Sequence, residues 1–171
     1  MPQGIVKSAN QILITGKPLV EECEVGTATY AYPGRIAIRE TDDSTCTYAG
    51  AGALNPIGVF DVEAGELEST AYGTGDVARI IKGPIRVKLL LLASENVTKG
   101  DALVCAANGK VAKAAAITCT VTSGTTAMTG HTTAGPLVVA GSYSPGGRII
   151  GYTCETSNVT VDAEIAVDLA I

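Results

Sequence analysis

Residues 77–92 read VARIIKGPIRVKLLLL. Two short runs of β-branched and apolar residues are separated there by Gly83 and Pro84. Runs of this length and composition, bounded by turn residues, predict β-strands, which we place at 77–81 and 85–92. The most apolar part, residues 87–93, is far shorter than the ~20 apolar residues of a membrane-spanning helix, and it contains Lys88.

The same pattern recurs along most of the chain. Further strands are predicted at residues 11–15 (QILIT), 27–32 (TATYAY), 36–39 (IAIR), 57–61 (IGVFD), 102–106 (ALVCA), 111–115 (VAKAA), 148–154 (RIIGYTC) and 163–170 (AEIAVDLA). Residues 98–101 (TKGD) predict a tight turn, and Asn108-Gly109 predicts a hairpin. Helix signals are weak, since residues 69–77 have room for one turn at most. We therefore expect an all-β protein, a small barrel or sandwich of short antiparallel strands.

Three regions differ in character. Residues 1–13 are predicted to be an extended N-terminal arm, and residues 14–171 a single β domain. Within that domain, residues 118–147 are too polar and glycine-rich for a core, because eight threonines fall between residues 118 and 133. We expect a Thr/Gly-rich surface insertion there, or a segment that becomes ordered on contact with a neighbouring protein.

A faint internal repeat links two strands. Ile57-Gly58-Val59 begins one unit and Ile150-Gly151-Tyr152 begins another, and acidic and Thr/Ser residues follow each. One interpretation is a repeated hairpin architecture. The alternative is chance similarity in a chain rich in Gly, Val and Thr.

Charged residues make up only 17% of the chain, against about 25% in an average protein. Such a surface is typical of a protein whose faces are covered by partners, or of a β-protein with many Gly/Thr turns; neither interpretation is favoured. The net charge of −5, with no dense cluster of Lys and Arg, argues against direct nucleic-acid binding. The first ten residues, MPQGIVKSAN, lack the apolar segment of a signal peptide, so we expect synthesis in a cytoplasm.

Residues that carry chemistry are sparse, and we expect no catalytic, metal-binding or cofactor-binding residue. The one histidine, His131, lies in a Thr/Gly stretch, and the five cysteines form no CxxC pair, which predicts free and mostly buried thiols. Three acidic clusters are interpreted as solvated turns, with an acid–base pair or a calcium site as alternatives; they are Glu21, Glu22 and Glu24, then Glu40, Asp42 and Asp43, then Glu63, Glu66 and Glu68. Tyr30 and Tyr32 would share one face of a strand, either as a glycan platform or as interface anchors.

One succession of motifs fits a known family. The strand at 57–59 is followed by strands at 77–81 and 83–92, by VTKGDALV at 97–104 and NGKV at 108–111, and by IGY at 150–152 and IAVDL at 165–169. From about residue 56 to residue 171 this resembles the small capsid decoration (cement) proteins of tailed bacteriophages. The insertion at 118–147 departs from the compact pattern of that family.

The resemblance implies an all-β, usually trimeric protein made in the host cytoplasm. Such a protein binds the major capsid protein on the outer surface of an icosahedral shell and bridges neighbouring capsomers, without contacting nucleic acid or membrane. Three linked copies would multiply a weak contact through avidity. The N-terminal arm is then the candidate for shell contact through strand addition, and its candidate residues are Pro2, Gln3, Ile5, Val6, Lys7 and Asn10.

Two other classes stay open. The first is a virion-surface binding module for glycan or host attachment, without enzymatic activity. Loss of glycan binding on mutation of Tyr30 or Tyr32 would favour it. The second is a carboxylate-dependent enzyme, which a deep pocket enclosing two carboxylates would favour.

Overall fold

A computed structural model describes residues 11–62, 69–115 and 147–171. The all-β prediction is confirmed, since these residues hold thirteen strands and a single 3₁₀ turn at Ala107–Gly109. The strands are β1 (Leu13–Thr15), β2 (Leu19–Thr27), β3 (Ile36–Arg39), β4 (Thr45–Tyr48), β5 (Pro56–Phe60), β6 (Val77–Lys82), β7 (Arg86–Leu91), β8 (Asn96–Val97), β9 (Ala102–Cys105), β10 (Val111–Lys113), β11 (Ile149–Thr153), β12 (Ser157–Asn158) and β13 (Ala163–Leu169).

The first half of the chain forms a closed barrel. Its strands follow the order β2-β4-β3-β5-β6, and β6 returns to β2 over six antiparallel residue pairs. The pairing of β2 with β4 is parallel, whereas only antiparallel pairs were expected. The barrel interior is filled by small and medium side chains around Phe60, which packs beside Val25 and Ile80.

The second half forms another ring of five strands. β7 pairs with β13 over residues 86–91. β13 in turn pairs with β11, β11 with β9, and β9 with β10. β10 then returns to β7 through a parallel pairing of Val111 with Leu91. β1 pairs with β7 beside β10, and β8 and β12 form a separate two-stranded ribbon.

The two rings share a wall made by β3, β5 and β6. Successive side chains of a strand point to opposite faces, so Ala37 and Phe60 face the first barrel while their neighbours Ile36 and Val59 face the second core. That second core contains residues from both rings, including Ile81 of β6 with strands β7, β9 and β13. The rings therefore pack through one continuous apolar layer.

The strands predicted at 36–39, 57–61, 77–81, 85–92, 102–106, 111–115, 148–154 and 163–170 are confirmed to within two residues at each end. The tight turn at 98–101 is confirmed, because the Asp101 amide donates to the Thr98 carbonyl at 2.9 Å. The Asn108-Gly109 hairpin joins the antiparallel pair β9 and β10. Residues 69–77 contain no helix.

The strand predicted at 27–32 is wrong: only Thr27 belongs to a strand, and residues 28–35 form a loop. Four strands had no counterpart among the predictions, namely β2, β4 and the two-residue strands β8 and β12.

The predicted insertion at 118–147 lies outside the described residues except for Gly147, and so do residues 1–10 of the predicted arm. Within the remainder of that arm, Ile12 is fully buried and Leu13 begins β1. The ordered barrel structure thus includes residues 12 and 13.

Candidate binding cavity and apolar end surface

The loop at residues 28–35 connects β2 to β3 and is held tightly by its backbone. The Gly34 amide donates to the Phe60 carbonyl at 2.9 Å, and the Arg35 amide donates to the Tyr32 carbonyl at 3.2 Å. Gly34 has φ +75°, and a Cβ there would lie 3.5 Å from the Lys88 carbonyl oxygen. A glycine therefore suits the positive φ at this position, while the Cβ distance is that of an ordinary van der Waals contact with β7.

A cavity of about 470 Å³ lies between this loop and the strands β7 and β13. Its volume falls in the range of small-molecule sites in proteins. The lining combines apolar and charged side chains, including Tyr32, Pro33, Arg35, Lys88, Leu90 and Glu164. We call it the loop cavity.

Arg35 lines the loop cavity as a partly buried cation. Its Nη1 donates to the Asn108 carbonyl at 2.8 Å, and its guanidinium carbon lies 5.9 Å from the centre of the Tyr32 ring. Burial lowers the pKa of Arg35, although Asp162 acts in the opposite direction. A guanidinium has five N–H donors in a fixed plane, and the Asn108 carbonyl accepts from one of them.

Lys88 is a second cation of the same cavity. Its side chain is 2% exposed although it lies on an apolar strand. Its ammonium forms a salt bridge with Oε2 of Glu164 at 3.7 Å.

A second depression, of about 400 Å³, lies at the β6–β7 hairpin where β13 ends. Its apolar lining includes Leu19, Pro84, Ala170 and Ile171, and we call these four residues the apolar end surface. Leu19 is 64% exposed. The Gly83 amide donates to the Ile171 carbonyl at 2.7 Å, which holds the end of β13 against the hairpin.

The charges at the rim of this surface are satisfied within the chain. Lys82 contacts Glu21 at 2.5 Å, and the Arg86 guanidinium holds both oxygens of Asp168 at 2.7 and 3.0 Å. That hydrogen-bonded guanidinium lowers the pKa of the Asp168 carboxyl. An apolar area with an internally neutralised rim suits burial against another protein.

The predicted arm residues, Pro2, Gln3, Ile5, Val6, Lys7 and Asn10, lie outside the described residues, as does His131. Tyr30 and Tyr32 do not share the face of a strand, because both lie in the loop at 28–35. The Tyr30 ring packs edge-on against Tyr48 at 5.1 Å, whereas Tyr32 lines the loop cavity. The two rings therefore form no common platform.

The acidic clusters fall into different settings. Glu21, Glu22 and Glu24 lie on β2, so the solvated-turn interpretation is wrong for them. For Asp42 it is confirmed, since its Oδ1 accepts from the amides of Ser44 and Thr45 at 2.8 Å. Hydrogen bonds from Ser44, first its hydroxyl, lower the pKa of the Asp42 carboxyl. Residues 63–68 lie outside the described part.

Four cysteines, Cys23, Cys46, Cys105 and Cys154, are buried thiols, as predicted for most of the five, and Cys119 is not described. Burial raises the pKa of Cys46 to about 12 and that of Cys105 to about 11. Since the thiolate is the reactive form, these groups are poor nucleophiles at neutral pH. The described residues contain no cluster of three or more His, Cys, Asp and Glu that could hold a metal ion. Nor do they contain a helix with the length and apolarity needed to cross a membrane.

Arg35, Lys88 and Glu164 were not among the predicted site residues. One signal was visible, namely that Lys88 interrupts the apolar run at 85–92. Arg35 lies at the same cavity as Lys88 because a loop from the first barrel reaches β7. No local sequence pattern predicts that contact.

Comparison with known proteins gives a likeness of fold. No protein-family model matches the chain, and no curated protein matches it. Its fold is similar to that of the N base of head fiber gp8.5 in bacteriophage phi29, a phage structural protein. The TM-score is 0.50, with 13% sequence identity over 90% of this chain and 95% of that chain. At this identity the likeness concerns the fold.

Proposed function

We propose that the chain is a structural protein of a bacteriophage head that decorates the outer surface of the shell and stabilises contacts between capsomers. The observation that carries the proposal is the fold shared with a phage head-fiber base over 90% of this chain. The proposed role is structural and uses no catalytic residue, metal ion or cofactor. Its partners are the major capsid protein and further copies of this chain.

The sequence supports the same role on separate grounds. The motifs between residues 56 and 171 resemble those of capsid decoration proteins. A double barrel with short strands and closed rings has few free strand edges, which protects a protein at high local concentration from edge-to-edge aggregation.

Two parts of the chain are assigned to contacts in this proposal. The apolar end surface packs between copies, because its apolar side chains are exposed while its rim charges are already paired. The N-terminal arm, residues 2–10, binds the shell by adding a strand to an exposed sheet edge. Three copies would then hold the shell through three linked arms, so that a weak contact gives stable attachment.

The test combines light scattering with co-sedimentation on expanded capsids prepared without this protein. We expect a trimer that saturates the capsids at a symmetry-fixed ratio, and a variant lacking residues 2–10 that stays trimeric but no longer sediments. A monomer that fails to bind capsids would end the proposal.

The self-contact is tested separately by Leu19→Asp. A charge at the centre of an apolar contact should convert the trimer to monomers. Val161→Asp is the matched control, since Val161 is 69% exposed and lies just before the opposite end of β13. Equal masses for the two variants would show that the apolar end surface is not the contact.

A further inference from the structure

The two rings have the same strand topology. Their strand orders are β2-β4-β3-β5-β6 and β7-β10-β9-β11-β13. In each ring the first strand along the chain pairs in parallel with the third, β2 with β4 and β7 with β10. The chain therefore contains one five-stranded unit twice, with the ribbon of β8 and β12 added to the second unit.

The residue register of the two rings matches as well. Equivalent cross-strand pairs, with the first ring before the second, are Val59–Ile81 and Tyr152–Asp168, Phe60–Ile80 and Thr153–Val167, and Val20–Ile81 and Arg86–Asp168. Each ring also has a register shift at the same place, beside Gly58 in one and Gly151 in the other. Strand residues of the first ring therefore have defined counterparts in the second.

The second ring contacts the first through the tip of its β9–β10 hairpin, residues 107–109. Arg35 Nη1 donates to the Asn108 carbonyl of this tip at 2.8 Å. A Cβ at Gly109 would lie 2.9 Å from the Cβ of Arg35 and 3.3 Å from that of Tyr48. The tip therefore lies directly against β3 and β4 of the first ring.

The counterpart of this tip in the first ring is exposed. It is the tip of the β3–β4 hairpin, residues 41–44, in which Asp42 and Asp43 are exposed. Leu19, toward the same end of the first ring, is 64% exposed, whereas its counterpart Ile85 is buried in the core that both rings share. The first ring thus presents to solvent the end that the second ring buries.

The face on which the tip lies also has an exposed counterpart. The register places Asp101, Ala102 and Lys113 in the second ring where the first has Arg35, Ile36 and Tyr48. Tyr152 is 47% exposed, whereas its counterpart Val59 is fully buried in the core shared by both rings. We call Asp101, Ala102, Lys113 and Tyr152 the receiving face.

We propose that copies of this chain bind each other head to tail by repeating the contact between the rings. The β3–β4 tip of one copy, together with Leu19, lies on the receiving face of the next copy. The inference rests on the proposed self-contact through the apolar end surface, and it names the surface which that contact meets. A contact between two different surfaces closes into a ring when its rotation allows, as a trimer requires.

Charge complementarity supports a second copy as the occupant of the receiving face. Between the rings, the Arg35 cation donates to the hairpin tip. On the receiving face, Lys113 is 44% exposed and bridges to Asp101 at 2.6 Å, and the approaching tip carries Asp42 and Asp43. A cation on the face thus meets the tip in both contacts. Tyr152 adds a side chain of a type enriched at the energetic centres of interfaces.

Cross-linking of the full chain tests this proximity directly. Chains with Asp43→Cys and chains with Lys113→Cys are mixed and treated with a short bismaleimide. We expect a covalent dimer from the mixture and none from either variant alone. Val77→Cys mixed with Asp43→Cys is the matched control, because Val77 is 58% exposed but lies on the first ring. The parent chain, treated alike, gives the background from its own cysteines.

Charge reversal, followed by sedimentation equilibrium, tests the affinity. Asp43→Lys or Lys113→Asp should each raise the dissociation constant between copies at least tenfold, and combining them should recover most of the loss. Recovery in the double variant excludes misfolding as the cause. Arg79→Asp makes the same charge change on the first ring, where Arg79 pairs with Asp61, and should leave the dissociation constant unchanged.

Two results would overturn the inference while leaving the proposed function intact. One is the absence of the cross-link between variant chains that still form trimers and bind capsids, and the other is unchanged self-association in both charge variants. A parent chain that is monomeric at every concentration would overturn the inference together with the proposed self-contact. Trimers that give the cross-link but ignore capsids would support the inference and end the proposed attachment to the shell.

Discussion

At the residue scale, the two glycines of the faint internal repeat have the same physical role. A Cβ at Gly58 would lie 2.6 Å from the Ile81 carbonyl oxygen, and a Cβ at Gly151 would collide with the carbonyl oxygen of Asp168. In each ring a glycine therefore lets a neighbouring strand pass unusually close. The two glycines of the repeat thus answer the same steric requirement, the close approach of a neighbouring strand.

We predict that Gly58→Ala and Gly151→Ala each lower the free energy of unfolding by about 1–3 kcal/mol, since the added methyl group must displace the backbone of a paired strand. Urea denaturation measures the change. Gly50→Ala is the control, because nothing lies within 4 Å of a Cβ at that position. A comparable loss in the control would mean that the effect is not steric.

The loop cavity shows where residue-level prediction stops. A lysine within an apolar run is visible in the sequence, but its burial depends on what covers that face of β7. The loop that brings Arg35 there comes from the first barrel, more than fifty residues earlier. Such contacts are decided by packing between distant segments, for which composition and spacing carry no signal.

At the scale of elements, strands rich in Val, Ile and Leu were predictable, whereas β2, β4 and the two-residue strands β8 and β12 were not. β2 alternates exposed Glu22 and Glu24 with buried Cys23 and Val25. This alternation of polar and apolar residues is the strand pattern, but the acidic composition led to the prediction of a solvated turn. Residues 27–32 show the reverse error, because β-branched and aromatic residues favoured a strand there. Backbone bonds such as that from the Ala31 amide to the Ala28 carbonyl close a turn instead.

The first strand separates the predicted arm from the barrels. Ile12 is fully buried, and its carbonyl accepts from the Lys88 amide at 2.8 Å. We predict that deleting residues 2–10 leaves the midpoint of thermal unfolding nearly unchanged. Deleting residues 2–13 should remove about 2–5 kcal/mol, because it empties the site of a buried isoleucine and breaks the pairing of β1 with β7.

Calorimetry of the two truncations measures the difference. A large loss from the shorter deletion would show that residues 2–10 are part of the fold rather than an arm. Equal stability of both would show that β1 contributes nothing to the second ring.

At the scale of the whole molecule, closure of the rings was the part least accessible from the sequence. An all-β barrel or sandwich was predicted, but the parallel pairing of β2 with β4 and of β10 with β7 joins segments that no hairpin signal connects. The wall shared by the two rings was unpredictable for the same reason, because it also depends on packing between distant segments. Ile36 and Val59 are apolar on the outside of their own barrel because the second ring packs there.

The shared wall predicts that both rings unfold together. Phe60→Ala empties the first core and Leu103→Ala the second, and each should cost about 2–5 kcal/mol. A chain of this size loses about 2–4 °C of Tm for each kcal/mol. In scanning calorimetry both variants should move the same peak, because losing either ring exposes apolar wall residues of the other. Two peaks, each moved by one variant alone, would mean that the wall is a contact between independent domains.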